Sequence, residues 1–399
     1  MNIVNLLTAF TWWYGPLDIH GVPMRGIPEK QGHSFSAAGY LAARENPTLD
    51  ADVIGRAVRQ ALRPLSRPTL NKARAEYERR EVIRFPRYFI IEPVALCNRA
   101  CPFCSILVTN RKGMMKWETF MRLMDECGEH EVYGLSLYQL GESFLWRGNY
   151  EIKHRSVVAD GVVSVAATPM NISAMIDYAK SRGGFRAVNI STNGDVDNLD
   201  CVLGSQLDDL IISIDGTTTE VYDANRPSTR KNDTGAFERT LNRVHSFLDA
   251  KSKRGDSRPF VRMQIINKEN TASQIVDFIR YWIQVPGVDD IFVKNLDSMR
   301  PWLGASVVSD AEDAIKARTL GAMPCQHIYA VGSMVYDGSL NACCHDAKTE
   351  LTTAGANIHN MKFAEWWNGE YMNGLRAAHN QGQFNHVCGE CRERDTWLG

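Results

Sequence analysis

From residue 87 the chain alternates short apolar runs with amphipathic stretches. "RYFIIEP" reads as a strand, and "KWETFMRLMDEC" carries the three-to-four-residue apolar spacing of a helix. "VYGLSLYQL" is a strand, "NISAMIDYAKSRG" a helix and "FRAVNIST" a strand. "LDDLIISI" follows as a strand and "TGAFERTLNRVHSFLDAK" as a helix. "RPFVRMQII", "TASQIVDFIRYWI" and "DDIFVKNL" complete the pattern as strand, helix and sixth strand. Such repetition predicts a parallel sheet with right-handed crossovers. Six strands fall short of the eight that close a barrel. The expected fold is therefore α/β, a partial (β/α)6 barrel over residues 86–320, with its site at the C-terminal strand ends.

Outside that span the pattern changes. Residues 1–85 lack strand alternation, and "ADVIGRAVRQALRPL" and "LNKARAEYERREV" predict a helical N-terminal extension. The aromatic "TWWYGPLDIHG" reads as a core anchor within it or as the lining of a pocket. Residues 143–170 are longer than an ordinary strand–helix connection, and "GVVSVAA" alternates. That insertion is expected as a lid or a substrate wall. Residues 321–399 form a small cysteine-rich domain, with a hairpin turning at "YDGS".

Composition sharpens the picture. Apolar residues make up 44% and charged residues 23%, so a substantial core is expected. The formal net charge of -1 and the lack of a polybasic tract argue against nucleic acid and anionic lipid as partners. No apolar run is long enough to span a bilayer, and the N-terminus lacks a signal-peptide pattern. A cytoplasmic location is expected.

The ten cysteines are unevenly placed. In a long chain without an export pattern they do not read as a disulfide framework. Cys127 and Cys201 stand alone and read as small buried hydrophobes. Cys97, Cys101 and Cys104 lie in "CNRACPFC", in the loop following the first strand. Zinc is one occupant, but structural zinc prefers four ligands and no fourth recurs nearby. An iron–sulfur cluster on three thiolates leaves one iron open for a substrate or cofactor.

CxxxCxxC with Phe103 before its last cysteine resembles the signature of the radical S-adenosylmethionine superfamily. "LYQLGES" is similar to that family's Gly-Gly-Glu motif at Gly141 and Glu142, with Leu140 in place of the first glycine. "ISTNG" supplies Ser191 and Asn193, and "ISIDG" with "YDANRP" supplies Ser213, Asp215 and Arg226. The resemblance covers residues 87–296. It implies a [4Fe-4S] cluster on the trio and S-adenosylmethionine on its open iron. Glu142 is then expected at the methionyl ammonium, and Ser213 and Arg226 at the carboxylate. Ser191 and Asn193 are expected at the ribose, and Phe103, Gln264 and Val293 at the adenine. The implied chemistry is reductive cleavage to a 5′-deoxyadenosyl radical that abstracts hydrogen from substrate.

The C-terminal region resembles the twitch form of the SPASM domain, down to "CCHD" and "WNGEYMNGLR". That likeness implies a second [4Fe-4S] cluster on Cys325, Cys343, Cys388 and Cys391. Zinc is the alternative occupant, and Cys344 the alternative to Cys343, which has the spacing from Gly338. His345 and Asp346 read as supporting neighbours or loop residues. Enzymes of this kind include radical dehydrogenases and epimerases of aminoglycoside pathways. No cysteine lies between 202 and 324 to return a hydrogen atom. The expectation is therefore an oxidoreductase of antibiotic biosynthesis that turns an alcohol carbon of a sugar or aminocyclitol into a ketone. Lys294 and Asp297 are candidates for deprotonation, and flavodoxin or ferredoxin for electron supply. Sugar epimerisation, deoxygenation and peptide maturation are the alternatives. A non-enzymatic iron–sulfur or zinc scaffold is the remaining one.

Overall fold

The computed structural model describes residues 32–34, 84–152, 166–295, 325, 327–389 and 391. Its strands, in chain order, are β1 (Gly32–Ser34), β2 (Tyr88–Ile91), β3 (Gly134–Ser136), β4 (Gly148–Ile152) and β5 (Ala166–Met170). They continue with β6 (Ala187–Thr192), β7 (Asp209–Ser213), β8 (Phe260–Asn267), β9 (Asp290–Asn295), β10 (Val331–Met334) and β11 (Leu340–Asn341). The helices are α1 (Trp117–Cys127), α2 (Ile172–Ser181), α3 (Thr219–Asn225), α4 (Ala236–Arg254) and α5 (Ile275–Trp282). After β9 come α6 (His327–Ala330), α7 (Phe363–Trp367), α8 (Glu370–Asn380) and α9 (His386–Gly389).

β2, β3, β6, β7, β8 and β9 pair in parallel and in that order, which is the expected open half barrel. Two further pairings extend it. β10 runs parallel to β2, with Val331 opposite Tyr88, and β11 returns antiparallel. β1 lies antiparallel on β9 at the other edge. Among the described residues the main sheet thus has nine strands and does not close. The hairpin of the cysteine-rich region is continuous with the barrel sheet.

The faces of the sheet differ in kind. In a parallel sheet, paired residues share a face and sequence neighbours alternate. Leu210, Ile212, Val261, Met263, Ile265, Ile291 and Val293 face the helices and join the apolar core. The opposite face carries Ser136, Asn189, Ser191, Ser213 and Gln264. At the N-terminal strand ends Arg262 pairs with Asp209 at 3.1 Å and with Asp290 at 3.0 Å. The interior face thus mixes these polar groups with Ile211 and Phe292, and a buried ion-pair network floors it.

Three features depart from the sequence expectations. Residues 32–34 form a strand inside the region expected to be helical; the rest of that region up to 83, including "TWWYGPLDIHG", lies outside the described residues. The insertion supplies an antiparallel hairpin, β4 with β5. The stretch "FAEWWNGEYMNGLRAAHNQGQF", whose spacing predicts one amphipathic helix, is two, α7 and α8, broken at Asn368–Gly369. Gly369 has an extended backbone there, and a side chain would press on the Glu365 carbonyl at 3.0 Å. The backbone N–H groups of Phe363 and Ala364 donate to Glu126 of α1, both at 2.8 Å, which caps α7 onto the barrel. Among the described residues no helix is long and apolar enough to cross a membrane.

Candidate active site

The loop after β2 carries Cys97, Cys101 and Cys104, and charged side chains hold it. Arg99, between the first two cysteines, is 2% exposed. It donates to Asp195 at 2.7 Å, to the Arg226 carbonyl at 2.9 Å and to Thr240 Oγ1 at 2.9 Å. Its guanidinium also stacks over Tyr222, 5.3 Å from the ring centre. Asn98 donates to the Asp195 carbonyl at 2.6 Å and accepts from Asn193 Nδ2 at 2.8 Å. Asp195 receives Arg239 and Arg243 besides Arg99. Burial pushes its pKa up, but the Arg239 hydrogen bonds and the three arginine charges outweigh that and hold it low.

The glycine–glutamate turn lies directly against this loop. A side chain at Gly141 would sit 1.8 Å from the Val94 carbonyl oxygen, so only glycine fits. Glu142 N–H then donates to the Leu96 carbonyl at 2.9 Å. The buried Glu142 carboxylate accepts from Thr192 Oγ1 at 2.8 Å, Asn193 N at 2.8 Å and Phe144 N at 3.2 Å. Desolvation raises its pKa against these donors.

Asn193 is turned toward the cysteines. Its Nδ2 lies 3.7 Å from Cys97 Sγ, and the Arg99 N–H donates to the same sulfur at 3.4 Å. Burial, with the Glu142 charge behind it, pushes Cys97 up to about 12. Burial likewise takes Cys104 to about 11 and raises Cys101 against the nearby Arg226 charge.

Arg226 is a buried group, not a surface ion pair. Its Nε and Nη2 reach Asp215 Oδ2 at 2.8 and 2.7 Å. Gln264 Nε2 donates to Ser213 Oγ at 3.0 Å, so these two expected residues meet. Val293 does not join them. Gln264 pairs with Phe292, which places Val293 on the helix-facing side of the sheet, in the apolar core. Ser191 shares the interior face, and the Phe103 ring lies beneath Lys268 Nζ at 4.5 Å. Asp297 lies outside the described residues, as does the side chain of Lys294.

Sequence reasoning passed over Arg99, Asn98, Asp195 and Lys268. Arg99 had a signal, a charge inside a loop that must pack under three thiols. Lys268 follows β8, donates to Asn225 Oδ1 at 2.6 Å and lies close enough to Cys101 to feel its charge.

The second cysteine group gathers from scattered segments. Burial, and then the neighbouring charges of Cys343, Cys391 and Cys388, raise Cys325 well above the usual thiol range. Arg376 packs over Trp367 at 4.4 Å and donates to the Ile328 and Trp367 carbonyls, both at 2.8 Å. Tyr329 donates to the Arg376 carbonyl at 3.0 Å, and Cys325 N to His379 Nδ1 at 3.3 Å. Cys344 instead approaches His327 Nδ1, at 3.9 Å.

Both donor sets fit thiolate-held clusters. The trio offers three thiols with N–H donors aimed at Cys97 sulfur, a pattern that supports cluster sulfur ligands. The C-terminal group offers four thiols, enough to close a coordination sphere.

No family model and no curated sequence matches the chain. Solved structures do. The chain is similar to Streptococcus suis SuiB bound to S-adenosylmethionine, at 14% identity and a TM-score of 0.54, over 88% of this chain and 83% of that one. SuiB bound to its precursor peptide SuiA matches at 14% identity and 0.54, over 98% and 87%. BtrN in complex with AdoMet and 2-DOIA matches at 14% identity and 0.44, over 77% and 93%. The chain shares the SuiB fold, as the resemblance to the radical S-adenosylmethionine superfamily leads one to expect.

Proposed function

We propose that this chain is a radical S-adenosylmethionine enzyme with a cluster on Cys97, Cys101 and Cys104 and an auxiliary cluster on Cys325, Cys343, Cys388 and Cys391. One observation carries the reading: three thiols share a clamped loop over the mouth of a half barrel whose interior carries Ser213 and Gln264. When bound and reduced, such a cluster cleaves S-adenosylmethionine and supplies a radical that takes hydrogen from substrate. Around it the chain binds and orients. Glu142 Oε2 has one donor, Asn193 N, and retains a lone pair for the methionyl ammonium. Ser213 accepts from Gln264 and keeps its own proton for the carboxylate. Arg226, steadied by Asp215, adds positive charge beside it. Ser191 faces the interior for the ribose, and Phe103 offers its ring to the adenine.

The finer reading is oxidation of an alcohol carbon in a sugar or aminocyclitol: the carbon would lose a hydrogen atom to the radical, its hydroxyl a proton to a base, and the remaining electron would pass to the auxiliary cluster, while flavodoxin or ferredoxin would supply the electron that starts each cleavage. It rests on the placing of the spare thiols. Cys127 is wholly buried in the core under α1, and Cys201 packs against the same core. Neither is on the barrel interior, and the remaining spare thiol, Cys344, faces His327, so these three give the interior no hydrogen donor. Lys294 and Asp297 remain the proposed proton acceptors, joined by Lys268, whose ammonium pKa burial lowers. A peptide substrate is the second reading, favoured by the peptide-bound SuiB match over 98% of this chain.

Anaerobic protein should release 5′-deoxyadenosine from S-adenosylmethionine, and the Cys97→Ala, Cys101→Ala, Cys104→Ala triple variant should release none. Release by that variant overturns the assignment. Turnover of sugars and aminocyclitols in deuterated water reads the finer step. A ketone two mass units below substrate supports oxidation, whereas an isomer carrying one carbon-bound deuterium replaces it with epimerisation.

A further inference from the structure

Outside the seven cysteines assigned above lies another group of metal-ligating side chains. His327, Cys344 and His345 offer ligand atoms that all fall within 4.8 Å of one another. Cys344 and His327 are buried and His345 half-buried. The two imidazole rings meet edge-on, with centroids 5.1 Å apart and planes at 86°. His345 Nδ1 is buried with no hydrogen-bond partner among the described residues.

Distance separates this group from ordinary packing. Zinc bonds of about 2.0–2.1 Å to nitrogen and about 2.3 Å to sulfur, at a tetrahedral angle, put those two ligands about 3.6 Å apart. Cys344 Sγ lies 3.9 Å from His327 Nδ1, so that edge is nearly at its bound length. Two imidazoles and one thiol are a borderline-soft donor set, suited to zinc and ill suited to magnesium or calcium.

Chain topology explains why two adjacent cysteines serve different sites. Cys343 lies beside Cys325 and accepts the His345 backbone N–H at 3.4 Å, and its thiol also meets that of Cys344, so the two groups adjoin. The next side chain, Cys344, then faces His327, which precedes β10, while Cys344 and His345 follow β11. An ion held by all three crosslinks the two ends of the hairpin. The same segment touches the barrel mouth, since Gln139, from the loop bearing Gly141 and Glu142, donates to the Cys344 carbonyl at 2.5 Å.

We propose that His327, Cys344 and His345 form a mononuclear zinc site, separate from the four-cysteine group, with three protein ligands and an open fourth position. That ligand count is the one used where zinc takes water or a substrate heteroatom. The site does not depend on the radical reading, because it uses none of the cluster cysteines.

Zinc analysis and X-ray absorption on full-length, anaerobically reconstituted protein test the proposal. After equilibration with zinc and removal of loosely held metal, one zinc per chain is expected, with one sulfur at about 2.3 Å and nitrogens at about 2.0–2.1 Å. His345→Ala and His327→Ala should each weaken zinc at least about tenfold, with iron content unchanged. Zinc surrounded by four sulfurs, or no retained zinc, overturns the proposal. So does unchanged zinc affinity in both variants. The wild-type spectrum decides the matter even if a variant folds poorly.

Discussion

Cys97, Cys101 and Cys104 share one short loop held by charges and amides, whereas Cys325, Cys343, Cys388 and Cys391 come from three separate segments held largely by packing. Arg99 and Asp195 clamp the first group from inside its own motif. Trp367, Arg376 and Tyr329 brace the second group from a helical wall behind it. The difference is instructive. On the proposed reading, a loop that presents three thiols to a ligand on its open side cannot be buried under a core, and here it is pinned from beneath by an ion-pair network. A closed set of four needs no such access, and the surrounding chain can wrap it. The first arrangement is sensitive, because removing Arg99 leaves Asp195, the Arg226 carbonyl and Thr240 each short of a buried donor.

The largest test separates the two groups outright. Cys388→Ser with Cys391→Ser should remove about half of the cluster iron and leave 5′-deoxyadenosine formation in place. Loss of both together, read by anaerobic iron counting and product analysis, would show that the groups are not independent.

Next comes the clamp. Arg99→Met should destabilise the protein by about 3–5 kcal/mol, because three buried hydrogen bonds from a charged donor are lost while Arg239 and Arg243 keep Asp195 paired, with a lower denaturant midpoint. The gap should depend on pH with a definite sign. Asp195 is held below its unfolded pKa of about 3.9. Its contribution is therefore full above that value and is lost as pH falls through its lower folded pKa. Wild type and variant should converge in acid; a gap that is constant down to pH 2 removes Asp195 from the account.

Smaller still is the effect expected at the ammonium position. Glu142→Ala should weaken S-adenosylmethionine binding by about 1.5–3 kcal/mol, or roughly 10- to 150-fold. Unchanged affinity in equilibrium dialysis would leave Glu142 a purely structural acceptor for Thr192 and Asn193. The smallest effect falls on the second group's hairpin. Gly338 has φ of 87°, and a side chain there would lie 2.9 Å from Thr119 Cγ2. Gly338→Ala should cost about 1–2 kcal/mol in thermal or denaturant unfolding, with no change in cofactor affinity.

Much of the barrel could be read from the chain because its strands are bounded apolar runs and its helices have clear periodicity. The motifs at strand ends could be read for the same reason, since each follows a recognisable strand. What stayed hidden is non-local. Nothing in "HIYAVGSMV" says that Val331 will pair with Tyr88. Nothing in the isolated charges of Arg99 and Asp195 says that they will meet without water. Val293 was misplaced by its position at a strand end, and only the register against Gln264 and Phe292 shows which face it takes. Asn193 sat correctly in its motif, but its amide is shared with Asn98 and the Cys97 sulfur.

The parallel pairing of β10 with β2 sets a schedule for biosynthesis. β2 is among the first barrel strands to leave the ribosome, and Phe89 and Ile91 make it strongly apolar. Its partner on the outer side is not translated until residues 331–334. Through that interval the nascent sheet carries an unpaired apolar edge, the surface on which strands of other chains add. A chain paused between the sixth barrel strand and the cysteine-rich hairpin therefore keeps that edge open until β10 is made and pairs with it.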